Sequence, residues 1–222
     1  MRKLVILERH GERSDEAPLH RQIDHEFKSD PPLTELGHEM SEYAAKAILE
    51  LVPPDSSIHL VSSPLIRCIQ TCSKFAKLAN VPIHLEEGFG EMFTMNDFPY
   101  NPYEHLHIRV QPERFTGTLG GVQLTENQHI CRPNYPESPE QLRDRIRRVL
   151  VPYIEQVKEP VVVICSHQLP LEEMLRQMGA DTQNLTTNYT LVSAAYYDGN
   201  WQLVKIGDYS HLPPNMVKPV KF

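Results

Sequence analysis

Leu4-Val5-Ile6-Leu7 runs without a turn residue into Glu8-Arg9-His10-Gly11-Glu12-Arg13, and this stretch decides the fold. Its apolar start predicts a buried strand, which ends in a histidine with Arg9 before it and Arg13 three residues after. In open α/β sheets, ligands gather outside the carboxyl ends of strands. Guanidinium groups beside an imidazole make a seat for a phosphoryl group, with the histidine as nucleophile. A solvated loop entry would carry the same residues, so the reading depends on partners elsewhere in the chain.

Two further apolar runs end in the same manner. Ile58-His59-Leu60-Val61 leads into Ser62-Ser63-Pro64-Leu65-Ile66-Arg67; Ser63 suits a helix N-cap and Pro64 a first helical position, so a helix is expected from there through Ala79. Arg67 then falls in the first turn, where its charge adds to the free backbone N–H groups; an exposed surface arginine is the alternative. Pro160-Val161-Val162-Val163-Ile164-Cys165-Ser166-His167 reads as a strand buried on both faces, with His167 at its carboxyl end. The candidate proton donor is Glu91, because Phe89, Met92 and Phe93 supply apolar surroundings that hold a proton near neutral pH. Glu86, Glu87 and Asp97 compete for that role.

Arg9-His10-Gly11, the Ser-Pro-x-x-Arg run ending in Arg67, the segment ending in Glu91 and the Ser166-His167 pair together resemble the histidine phosphatase, or phosphoglycerate-mutase-like, superfamily. Within it, Arg-His-Gly-Glu-Arg, Asp30-Pro31-Pro32-Leu33-Thr34-x-x-Gly37 and Arg67-Cys68-Ile69-Gln70-Thr71 are most similar to the phosphatase domain of the suppressors of T-cell receptor signalling. The resemblance implies an α/β three-layer sandwich with a mostly parallel central sheet flanked by helices. It also implies phosphotyrosine or other phosphomonoester hydrolysis with no metal and no organic cofactor. His10 would attack phosphorus, Arg9, Arg13, Arg67 and His167 would hold the phosphate oxygens, and Glu91 would protonate the leaving oxygen. Gln168 follows His167 where the acid phosphatase branch carries an aspartate donor, which directs the acid role to Glu91. A phosphomutase and a catalytically inactive phosphate-binding module are the other classes such a pocket would serve.

A chain of 222 residues with 40% hydrophobic residues is expected to form a single domain over 1–222. No apolar run approaches a membrane span, and the apolar start is broken too early for a signal peptide, so a cytoplasmic location is the default expectation. Cys68, Cys72, Cys131 and Cys165 form no metal-type cluster and read as reduced thiols. A formal charge of −7 argues against nucleic acid as a partner. A phosphorylated small molecule or phosphoprotein is expected instead, and the oligomeric state is left open.

Strands alternate with helices along the rest of the chain. A charged loop with His20 and His25 precedes a helix expected over about 34–51, with Leu36, Met40, Tyr43, Ala47 and Leu51 as its apolar stripe. Ser138-Pro139-Glu140-Gln141 reads as a capping box opening a helix with Leu142, Ile146, Leu150, Tyr153 and Val157 inward. Arg143, Arg145, Arg147 and Arg148 on that helix read as a solvated face with intrahelical ion pairs. A helix is expected after His167, stopping near Gly179, and a hairpin over 191–206 about Asp198-Gly199-Asn200, before an irregular tail with Pro213, Pro214 and Pro219. The stretch of about 94–135 has no period and is expected to be a lid-like insertion that chooses the substrate. Phe98, Tyr100, Tyr103 and Phe115 either line the pocket there or anchor the loop, and His105 and His107 lack a third ligand for a metal.

Overall fold

The structure, a computed structural model, describes residues 2–19, 22, 28–110, 119, 121–126, 129–183, 185 and 188–217. His20, His25, Phe115 and Pro219 lie outside the described residues. The strands are β1 (Lys3–Arg9), β2 (Ile58–Ser62), β3 (Ile83–Leu85), β4 (Leu124–Glu126), β5 (Val161–Ser166), β6 (Val192–Tyr197) and β7 (Trp201–Asp208). The main helices are α1 (Glu35–Leu51), α2 (Ile66–Ala79), α3 (Pro139–Gln156) and α4 (Gln168–Gln177).

One seven-stranded sheet runs in the order β4-β3-β2-β5-β1-β6-β7. The pairings from β4 across to β1 are parallel, and β6 and β7 add an antiparallel hairpin at the β1 side. Alternate residues of β1 face opposite layers, as the pleat requires. Leu4 and Ile6 pack with Ala44 and Ile48 of α1 and Ile69 and Phe75 of α2, whereas Val5 and Leu7 pack with Ile146 and Leu150 of α3 and Met174 of α4. This is the three-layer, mostly parallel architecture expected. Among the described residues no helix is long and apolar enough to cross a membrane.

Strand order positions the site. From β1 the chain crosses to β2, on the far side of β5; from β5 it returns through α4 to β6, on the far side of β1. The connections leaving β1 and β5 therefore diverge and open a crevice at their carboxyl ends, the switch point at which open α/β sheets bind ligands. Arg9 is in register with Ser166, so His10 and His167, each the first residue beyond its strand, meet at that crevice.

Three local expectations need correction. Helix α2 starts at Ile66, not at Pro64; its first N–H donates to Asp30 Oδ1 at 2.8 Å, so the cap comes from 36 residues away. The buried face of α1 is Gly37, Met40, Ser41, Ala44, Ala45 and Ile48, while Tyr43 is exposed. Small side chains are chosen there because α1 lies close against α2 and the loop after β1. The capping box at Ser138 forms as expected, but Arg145 of α3 is fully buried and is no part of a solvated face.

Candidate active site

His10 is buried, and its Nδ1 lies 2.8 Å from the carbonyl oxygen of Gly11. A carbonyl only accepts, so Nδ1 carries the proton and the Nε2 lone pair is left for chemistry. Burial, followed by repulsion from Arg67 and Arg9, holds the imidazole pKa well below its usual 6.5; the Gly11 hydrogen bond opposes them and Arg13 adds to them. The ring is therefore neutral at physiological pH. The loop it opens is seated by backbone contact: a Cβ on Gly11 would meet the Gly37 carbonyl oxygen at 2.5 Å, and one on Gly37 would meet Glu12 O at 2.4 Å. Thr71 ties the same loop to α2, accepting from Gly11 N at 2.9 Å while donating to Arg67 O at 2.7 Å.

Three arginines surround the imidazole. Arg67 is completely buried, and none of its three guanidinium nitrogens has a hydrogen-bond partner among the described residues. Arg9 is buried with its guanidinium 4.8 Å from the ring centre of Tyr189, a ring that also lies 6.0 Å from that of His10. Arg13 reaches the same electrostatic neighbourhood, but Asp15 accepts from its Nε at 2.7 Å and Nη2 at 2.6 Å, and Glu16 faces Nη1 at 3.2 Å.

His167 stands on the other side of the crevice, its ring centre 5.2 Å from that of His10. Its Nε2 lies 2.8 Å from Ser63 Oγ, so the serine read as a helix cap instead meets this imidazole. Burial and the positive charge of Arg67 keep its pKa well below 6.5. Glu91 Oε2 lies 3.8 Å from His167 Nδ1, and Glu91 Oε1 accepts from Met92 N at 2.9 Å. Burial raises the Glu91 pKa above its ordinary 4.5, against the pull of the nearby arginines. The crevice thus brings together His10, Arg9, Arg13, Arg67, His167 and Glu91.

Similarity to known proteins gives the family and the fold. Residues 5–209 match the model of the histidine phosphatase superfamily (branch 1). The chain belongs to that superfamily. A curated relative, the transcription factor tau 55 kDa subunit of Saccharomyces cerevisiae, is 28% identical over 159 residues, or 70% of this chain. The match covers 35% of that subunit, so the chain spans about a third of its length. A phosphoserine phosphatase from Entamoeba histolytica superposes with a TM-score of 0.63 at 20% identity, over 95% of this chain and all of that one. A phosphoglycerate mutase from Bacillus anthracis does so with 0.64 at 15% identity, over 95% of each. At these identities the likeness is one of fold.

In this superfamily member the other carboxylates considered for the acid role are engaged elsewhere. Glu86 accepts from Gly88 N and Ile130 N, Glu87 faces Arg109, His129 and Arg132, and Asp97 accepts from Thr94. The segment carrying Glu91 is pinned by Arg145, which makes a bidentate pair with Glu137 at 2.5 and 2.8 Å and donates to the carbonyls of Gly88 and Gly90 at 2.7 and 2.9 Å. Tyr103 packs with Leu65, Phe93 and Leu106, with Phe98 against them, and donates to Glu91 O at 2.7 Å. These aromatic residues anchor the loop. His105 sits edge-on to Tyr100 and His107 binds Asp30 Oδ2 at 3.0 Å; no cluster of metal-ligating side chains occurs among the described residues. Sequence reading missed Asp15, Glu16, Asp30, Arg145 and Tyr189 as parts of this region. For Arg145 a signal existed: it lies three residues after Leu142 and one before Ile146, within the apolar stripe of α3.

Proposed function

We propose that the chain is a phosphomonoester hydrolase that works through a phosphohistidine on His10. The observation that carries this reading is a buried guanidinium, Arg67, with no hydrogen-bond partner among the described residues, close enough to depress the pKa of a neutral imidazole. Burying an unpartnered cation is costly unless a ligand that forms part of the working state satisfies it. His10 Nε2 attacks phosphorus and the ester oxygen departs with the Glu91 proton. The Glu91 carboxylate then takes a proton from water, which attacks the phosphohistidine, releases inorganic phosphate and returns His10 to its neutral form. Arg9, Arg13, Arg67 and a ring N–H of His167 meet the charge that builds on the equatorial oxygens. These steps need no cofactor.

Membership of the superfamily and phosphatase neighbours in fold support hydrolysis in general. The substrate is proposed to be a phosphorylated small molecule or a phosphoprotein; the motif likeness to the suppressor phosphatases makes phosphotyrosine one candidate. Unpaired cysteines are in keeping with a reducing, cytoplasmic setting. A second reading, a phosphate-binding module within a larger assembly, is favoured by the relative that is a transcription factor subunit. Turnover separates the two. Purified protein is expected to hydrolyse p-nitrophenyl phosphate, with loss of that activity in His10→Ala; equal rates for parent and variant would remove the enzyme reading.

Glu91 gives a sharper test. p-Nitrophenolate leaves readily without a proton, whereas an alkoxide does not, so Glu91→Gln is expected to lower kcat/KM, which reports phosphoryl transfer to His10, by about a hundredfold or more for an alkyl phosphate and by far less for p-nitrophenyl phosphate. For the alkyl substrate, activity falls as pH rises through the raised Glu91 pKa, because the donor loses its proton. It persists into mildly acidic solution, because the His10 pKa lies well below 6.5. The alkaline limb is absent from the Glu91→Gln profile; its persistence there would assign the proton to another group.

A further inference from the structure

Asp15 and Glu16 bind every nitrogen of the Arg13 guanidinium, at 2.7 and 2.6 Å from Asp15 and 3.2 Å from Glu16. The second Glu16 oxygen accepts from the Tyr189 hydroxyl at 2.8 Å, and the Tyr189 ring lies 4.8 Å from the Arg9 guanidinium. One short acidic turn therefore touches one arginine of the first motif directly and the other through an aromatic ring. Given the phosphate pocket proposed above, we propose that Asp15, Glu16 and Tyr189 are positioning residues that fix the Arg13 and Arg9 heads where they take a phosphate dianion.

The physical need differs among the three arginines. Arg67 is immobilised by a fully buried environment, whereas the Arg13 side chain is 17% exposed and Glu16 beside it 46%. An arginine side chain has large rotamer freedom, which a bidentate carboxylate removes before the anion arrives. A carboxylate can also compete with a phosphate for the same head. The two roles predict opposite signs: a positioning pair strengthens anion binding, and a competing pair weakens it.

The experiment compares Asp15→Asn, Glu16→Gln, Tyr189→Phe and the Glu16→Gln/Tyr189→Phe double variant. Inorganic phosphate affinity is measured by calorimetry, alongside KM and kcat for p-nitrophenyl phosphate. Tyr189→Phe keeps the ring beside Arg9 and removes only the link to Glu16. Asp15→Asn is expected to weaken phosphate binding and raise KM about tenfold, the size of a lost charge-assisted hydrogen bond, with kcat changed by less than about twofold. The double variant is expected to be no worse than its poorer parent, because both changes cut the same link. In an Arg13→Ala background Asp15→Asn is expected to do nothing further. Unchanged or tighter phosphate binding in Asp15→Asn would overturn the proposal, as would effects that multiply in the double variant. If the parent binds phosphate but turns over no ester, the hydrolase reading falls while the affinities still decide the positioning role. If the parent binds no phosphate, both fall.

Discussion

Arg67→Met is expected to lower kcat/KM for phosphomonoesters by about a thousandfold and at the same time to raise the midpoint of thermal unfolding. The two effects share one cause. A guanidinium cannot shed its proton at ordinary pH, so Arg67 keeps its charge inside the core with no partner among the described residues. Burial and repulsion from Arg13 lower its pKa, which measures how unfavourable that position is for a cation. Methionine fills similar space without a charge, and replacing buried ionic groups by apolar ones commonly stabilises by about 1–4 kcal/mol. For a domain of this length each kcal/mol corresponds to about 2–4 °C. The same change removes a guanidinium whose three nitrogens all lack a partner among the described residues and so can all turn to a phosphate. Thermal melts with and without inorganic phosphate check the pair: phosphate should raise the melting point of the parent and leave that of Arg67→Met nearly unmoved. A destabilised variant that still responds to phosphate would show that Arg67 is structural.

What local pattern could reveal divides along a physical line. The apolar runs of β1 and β5 declare buried strands because backbone and side chain agree over several residues, and each is followed at once by the histidine that the crevice uses. That the two histidines are neighbours follows from β5 lying between β1 and β2, an order written in no single stretch of sequence. The candidate residues were legible as residue types at strand ends; their partners were not. Asp30 caps α2 from a distant loop, and Tyr189 reaches Arg9 from the turn before β6. In α1 the search for large side chains pointed to Tyr43, whereas close packing against α2 selects Ala44 and Ala45. In α3 a run of arginines suggested solvent, yet Arg145 lies at an inward position and is satisfied by Glu137 and two carbonyls. Charge alone misleads when a partner is supplied by a segment far along the chain.

Glu8→Leu is expected to stabilise the fold, by an amount that grows with pH. Glu8 is fully buried in β1, in register with Cys165 and Val192, and its inward face continues the apolar row of Leu4 and Ile6. Neither carboxyl oxygen has a partner among the described residues. Unlike Arg67, this group escapes the cost of burial by keeping its proton: desolvation pushes its pKa up to about 8 from an ordinary 4.5. The raised folded value means that protonated Glu8 contributes stability fully below pH 4.5, and that this contribution is lost as pH climbs through 4.5 toward 8. At pH 7 the loss is about 3 kcal/mol, which corresponds to roughly 6–12 °C. Leucine has no proton to lose, so the gap between variant and parent should widen from pH 5 to pH 8 and shrink below pH 4.5 to the difference in transfer free energy alone. Glu8→Gln, which likewise has no proton to lose, should show the same widening with pH while gaining less stability than leucine at every pH, since its amide is left as unsatisfied as the acid was. Melting curves of the three proteins across that pH range carry the test. A parent as stable as Glu8→Leu at pH 8 would mean that the carboxylate finds a partner once it ionises.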